Sequence, residues 1–325
     1  MKRVFKILGF LVIIFGIYLY ACLVFTPKNR KDFGGDKYYS GYGYEAETKN
    51  TIDVLAIGNS DLYSSLISQQ LFGDYGIAIY SCAAGKATLG MGERWLKEVS
   101  RNHKLELLII EADFIFETRY LGSIEQLLGR FRFLGSPFVY HAKWKHMKAK
   151  DFYQLPKTEM DDLKGYRFSD KIKEIKKAPS NYMKPHKKST ITSKNMIILK
   201  RILEFCSDHN IQVLMYESPT FSSWNLTKSN LVQEVCDKYN IPFIDFNLLL
   251  EEINFDVKKD YRDNGNHLNY FGATKVTTYL GEYLNSHYKL TNHFSDPAYD
   301  KWRESYNTYL KKVDKYVKKI EASTV

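Results

Sequence analysis

The sequence predicts an α/β protein: a three-layer sandwich with a parallel central sheet, preceded by one transmembrane helix and interrupted by a helical insertion. Three observations predict it. Short apolar, β-rich runs alternate with segments whose apolar residues recur every three or four positions. The first 26 residues hold a long uncharged stretch, and 44% of the 325 residues are apolar, enough for a large buried core. Strand and helix alternating along one chain argue for a sheet covered on both faces and joined by right-handed crossovers.

The amino terminus has the form of a membrane span. A basic head (Lys2, Arg3, Lys6) precedes an uncharged segment, residues 7–26. As a helix that segment is about as long as a hydrocarbon core is thick, roughly 30 Å. Phe25-Thr26-Pro27 makes a poor cleavage site, so an uncleaved signal anchor is expected over a secretory peptide. Lipidation at Cys22 is the lesser reading, because Tyr20 spoils the lipobox-like Leu19-Tyr20-Ala21-Cys22. Lys28, Arg30 and Lys31 follow the span and weaken the charge rule for orientation. The short head ahead of a large domain still favours a single-pass protein of the bacterial cytoplasmic membrane, its C-terminal domain extracytoplasmic. Four scattered cysteines (Cys22, Cys82, Cys206, Cys236) suggest neither a disulfide framework nor a metal site.

The elements then follow in order. Residues 27–50, rich in Gly, Tyr and charge, form a linker. Strands are expected at "IDVLAIG" (52–58), "GIAIYSC" (76–82), "LELLIIEAD" (105–113), "IQVLMYESP" (211–219) and "IPFIDFN" (241–247). Helical spacing covers 88–102, 192–209, 228–239 and 270–287, with Asn210-Ile211 and Asn240-Ile241 turning into the next strands. The domain spans 51–290, and its insertion, 114–190, is too long for a plain loop and is expected to be a partly helical cap. Residues 291–325 carry an amphipathic helix with a stripe at Trp302, Tyr306, Tyr309, Val313, Tyr316 and Ile320.

The net charge is +10, and between Lys143 and Lys188 there are 14 Lys/Arg against 6 Asp/Glu. Such an excess attracts polyanions, namely nucleic acid, anionic lipid or phosphate-rich wall polymers, although a solvated helical face is the favoured reading of it. Outside the membrane, nucleic acid is not an expected partner.

The first strand ends on Gly58-Asn59-Ser60-Asp61, at the sheet edge where open α/β sheets collect ligands. Ser60 or Asp61 would cap the next helix on the plain reading. Phosphate-binding glycine motifs are absent, so a nucleotide site is not expected. If Ser60 is a nucleophile, a histidine must take its proton. Of eight histidines, His267 in "DYRDNGNHLNYFGATKVTTYLGEYL" returns to the same sheet edge after the fifth strand. Asp263, four residues earlier, can orient its ring.

The serine of "GNSD", the Gly85 turn in "SCAAGKA" and the acid followed by "HLN" together resemble the SGNH (GDSL-like) hydrolase superfamily, over roughly residues 50–290. The resemblance implies a flavodoxin-like sheet, Ser60 as nucleophile, His267 as base and Asp263 as its acid. It also implies an oxyanion hole from the N–H groups of Ser60 and Gly85, with Asn59 and Asp61 supporting the turn. Two positions depart from the family. Its acid lies three residues before the histidine, where this chain has Asn264, leaving Asp263, Asp260 or a Ser-His pair. Its oxyanion-hole asparagine after the third strand is replaced by "EADFIFE", whose ionised acids cannot donate, so Asn225 is the candidate substitute.

With its anchor the chain is similar to bacterial surface members of that superfamily that work beside membrane-bound O-acyltransferases. The resemblance implies ester hydrolysis or acyl transfer on an acylated polysaccharide or teichoic-acid-like polymer, with no cofactor and no metal. The alternative is a non-catalytic scaffold that binds anionic polymer or the acyltransferase.

Overall fold

In the computed structural model, residues 2–34, 42–118, 133–186 and 189–324 are described, with side chains to Lys319. Parts of the expected linker (35–41) and insertion (119–132, 187–188), and the side chain of Ile320, lie outside them. The chain divides into two compact units.

One unit comprises 1–42 and 119–159. Its main element is α1, Lys2–Phe25, whose most apolar window has a mean hydropathy of 2.7. That helix is long and apolar enough to cross a membrane, by length and composition. Its carboxyl end is closed by a cation: buried Lys143 donates to the carbonyls of Val24 (3.2 Å) and Thr26 (2.9 Å) and pairs with Asp151 at 2.9 Å. A lysine there satisfies carbonyls left open by the last turn and meets the negative end of the helix dipole. The described part of the insertion in this unit holds a four-residue helical turn, Ser136–Val139, and two 3-10 turns, His141–His146 and Ala149–Phe152.

The other unit, 43–118 and 160–325, holds the sheet. Its elements are β1 (Val54–Gly58), α2 (Ser60–Ser65), α3 (Ser68–Tyr75), β2 (Ile79–Ala83), α4 (Leu89–Val99), β3 (Leu107–Glu111), α5 (Ser193–Asp208), β4 (Gln212–Glu217), α6 (Leu226–Tyr239), β5 (Phe243–Asp245), α7 (Tyr270–His287) and α8 (Asp300–Thr324). All strand pairs are parallel, in the order β2-β1-β3-β4-β5.

The five-residue runs of β1, β2 and β3 are buried at every position, as a sheet covered on both faces requires. On one face Val54, Ala56, Leu107, Ile109, Leu214, Tyr216 and Ile244 pack with Leu71 of α3 and Val276, Leu280 and Leu284 of α7. The helices α4 and α5 pack against each other on the other side. Asn210 and Asn240 take positive φ (55° and 53°), the left-handed cap that lets a helix turn straight into β4 or β5, and asparagine tolerates it well. The stripe of α8 is buried at Trp302, Tyr309 and Tyr316.

In this strand order the chain leaves β1 on one side for β2 and returns on the other for β3. The loops therefore part at the carboxyl ends of β1 and β3, opening a crevice there.

Candidate active site

Gly58 ends β1 against that crevice. A Cβ added to it would sit 2.7 Å from Glu111 Cβ and 2.8 Å from Leu62 Cβ, so only glycine lets β1 run this close to the end of β3 and the start of α2. Asn59 follows as N-cap: its Oδ1 accepts the Asp61 N–H at 2.7 Å, while its own N–H donates to Glu111 Oε2 at 3.1 Å. The turn is thus clamped on both sides of Ser60. Ser60, half-buried, is the first helical residue, and its amide has no acceptor within the helix.

His267 comes from the loop between β5 and α7. Its Nδ1–H donates to Asp263 Oδ2 at 2.6 Å. Asp263 Oδ1 accepts the backbone N–H groups of Asn266 and His267, each at 2.9 Å, so the loop wraps around the carboxylate. Gly265 permits the wrap, with φ of +84° and no room for a Cβ beside Phe221. This turn accommodates the four-residue spacing of Asp263 and His267. Asn264 is exposed, and Asp260 is committed to Lys275 (2.8 Å) and the Asp256 N–H (2.6 Å).

The opposite ring nitrogen, Nε2, is buried without a hydrogen-bond partner. It lies 3.9 Å from Asp61 Oδ1, next in sequence to Ser60. Burial depresses the His267 pKa, the Asp263 hydrogen bond opposes that and the Arg262 charge adds to it; the net direction is down, toward a neutral base. Burial raises Asp263, but the hydrogen bonds from His267 and the loop amides outweigh it and hold the carboxylate below its ordinary range.

Tyr63, on α2 three residues after Ser60, lies between the separate pieces. Its ring lies parallel to that of His267, centroids 6.5 Å apart, and its hydroxyl is 3.9 Å from the point where a Gly85 Cβ would stand. Gly85 occupies an exposed turn after β2. The sequence reading passed over Tyr63; its i, i+3 spacing from Ser60 was the available signal.

Behind the serine lie buried acids. Oxygens of Asp61, Glu111 and Glu217 fall within 4.8 Å of one another. Burial, then repulsion from Asp113 and Asp263, pushes Asp61 up to about 8, and burial drives Glu111 and Glu217 the same way. Protonation discharges this group, and a neutral Asp61 becomes a hydrogen-bond donor next to Ser60. Such an all-oxygen set could also hold a hard cation.

Asn225 is placed differently from expectation. It caps α6, accepting the Lys228 N–H at 3.1 Å, and its amide donates to Ser189 at 3.2 Å, so it is spent as a structural cap and not as an oxyanion donor. Asp245 and Trp224 likewise belong to an internal network, Trp224 Nε1 donating to Asp245 at 2.9 Å. A concavity of about 340 Å³ opens at the amino ends of the strands, lined by Lys49, Arg101, His103, Lys104 and His209 among others, away from these groups.

No family model and no curated protein matches the sequence. Solved structures similar to the chain include a GDSL-like lipase from Bacteroides thetaiotaomicron, with 9% identity, 78% of this chain and 99% of that chain covered, and a TM-score of 0.39. The lipase/acylhydrolase from Enterococcus faecalis shows 9% identity over 74% and 99% of the two chains, with a TM-score of 0.40. The psychrotrophic esterase EstA from Pseudoalteromonas sp. shows 10% identity over 72% and 97%, with a TM-score of 0.39.

Proposed function

We propose that this protein is a serine acyl-ester hydrolase or O-acyltransferase of SGNH type. In this reading α1 holds it in the membrane and its catalytic domain works outside, on a cell-wall polymer or exopolysaccharide. One observation carries the chemistry: a half-buried His267–Asp263 pair presents a buried, unpartnered Nε2 beside the clamped turn that bears Ser60.

Nε2 takes the Ser60 hydroxyl proton as Oγ attacks the ester carbonyl carbon, and Asp263 stabilises the imidazolium. The oxyanion that forms meets the Ser60 amide at the positive end of α2, with Gly85 as the second donor. Collapse expels the alcohol, which takes the proton back from Nε2, and leaves an acyl-serine. Water or a polymer hydroxyl then attacks that ester in the same way, its proton passing to Nε2 and on to the departing Oγ. Hydrolysis and transfer differ only in this second acceptor, and a membrane-bound O-acyltransferase is the partner that would supply the acyl group for transfer.

Covalent labelling of the full chain in detergent with a fluorophosphonate tests the reading. Expected is one adduct, on Ser60, absent in Ser60→Ala and lost or slowed at least about a hundredfold in His267→Ala. Folded protein that takes no label at Ser60 would overturn it in favour of the non-catalytic scaffold.

A further inference from the structure

We infer that residues 133–155 form a collar seated in the membrane interface, with its exposed aromatic and aliphatic side chains covered by lipid. The inference concerns the smaller unit alone. It rests on α1 crossing the membrane and is independent of the hydrolase reading.

Length carries the first part. Every residue of α1 from Lys2 to Ile17 is exposed, and beyond them the turns of the insertion pack on the helix. At about 1.5 Å per residue the bare part is about 24 Å long, against a hydrocarbon core of roughly 30 Å. A bilayer that begins at the basic head therefore reaches past Ile17 and meets the collar. The attachment is made for such a place. Tyr18 donates to the Leu134 carbonyl, Tyr20 donates to the Phe152 carbonyl at 3.1 Å, and the Thr26 and Ser136 hydroxyls share a hydrogen bond at 2.7 Å. These bonds satisfy polar groups where water is scarce, as Lys143 does for the last carbonyls of the helix and Asp151 does for Lys143.

The outside of the collar is a second, independent observation. Trp144 is 62% exposed, Leu155 69% and Tyr153 75%, and Phe138 and Phe152 are exposed as well. So many large apolar side chains in one short run mark an interaction surface, and tryptophan and tyrosine are the residues that settle at headgroup level. Cations stand among them: Lys145 Nζ lies 5.6 Å from the centroid of the Trp144 ring, and Lys148 is exposed. Asp151, the one acid of residues 133–155, is buried against Lys143. The exposed charge of the collar is therefore positive, which suits anionic headgroups. Lipid is the occupant because it already surrounds the helix on which the collar is built.

Tryptophan quenching tests this, with the full chain in vesicles of phosphatidylcholine and phosphatidylglycerol whose acyl chains carry bromine either near the headgroup or near the chain end. Trp95, Trp224 and Trp302 are buried in the sheet unit, so Trp144 supplies the lipid-dependent signal. Expected is loss of about half of that signal to shallow bromine and less to deep bromine, with no such loss in Trp144→Phe. In the Trp144→Phe background, Tyr153→Trp should restore the shallow pattern and Phe15→Trp should give the deep one. Deep quenching in Phe15→Trp with none at positions 144 and 153 overturns the collar, keeps the membrane span and leaves that face to a membrane protein. Phe15→Trp without deep quenching removes the span, and the collar with it.

Discussion

At the scale of single residues, the site turns on which groups carry protons. His267 must be neutral to act as base, and its pKa is depressed below the ordinary 6.5 by burial and Arg262 against the pull of Asp263. The acid limb of kcat/KM is therefore expected below pH 6.5, with a plateau by neutrality, and Arg262→Gln should move that limb upward. Asp263→Asn keeps the loop shape but favours the wrong tautomer, and a fall of at least about a hundredfold in kcat is expected. Asp61 makes the opposite demand on pH. Its folded pKa is raised to about 8, so between about 4 and 8 the folded chain keeps a proton that the unfolded chain releases. Stability from this group is present at low pH and lost as pH rises toward 8. Urea midpoints measured at pH 5 and pH 8 should fall with rising pH, and Asp61→Asn should flatten the difference.

At the scale of elements, the strands were legible because a doubly covered sheet leaves continuous apolar runs, and Asn210 and Asn240 marked the helix ends through the backbone conformation they tolerate. That Ser60, His267 and Asp263 gather at the carboxyl end of the sheet was legible because each stands in a short polar break at a strand end or before a helix. The place of Tyr63 was not: a tyrosine at helical spacing looks the same whether it fills a core or lies against the His267 ring. Nor did composition show that residues 136–152 of the insertion run through short turns, since lysine-rich sequence suits helix and coil alike once tertiary contacts decide. The close passage at Gly58 is a further element-scale feature. Gly58→Ala would force β1, β3 and α2 apart, costing about 1–3 kcal/mol in denaturant unfolding and reducing Ser60 labelling with it.

At the scale of the whole molecule, the sheet unit is tied together across its sequence by a buried ion pair. Lys164 donates to both Glu47 oxygens, at 2.8 and 3.0 Å, and stands 4.8 Å from the Trp302 ring of α8. Its carbonyl accepts the Ser81 N–H, covering the outer edge of β2. Lys164→Met strands a buried carboxylate and should cost about 3–5 kcal/mol, read as a lowered urea midpoint. Adding Glu47→Leu should restore most of that loss, because the penalty lies in the unpaired charge.

The strand order has one more consequence, and it concerns time. The Ser60 turn follows the first strand and His267 follows the last, about 200 residues later in synthesis. While the chain is still being made, Ser60 has no histidine to take its proton. On the proposed mechanism an emerging chain carries a serine still without its base, and reactivity would begin only when the final loop docks.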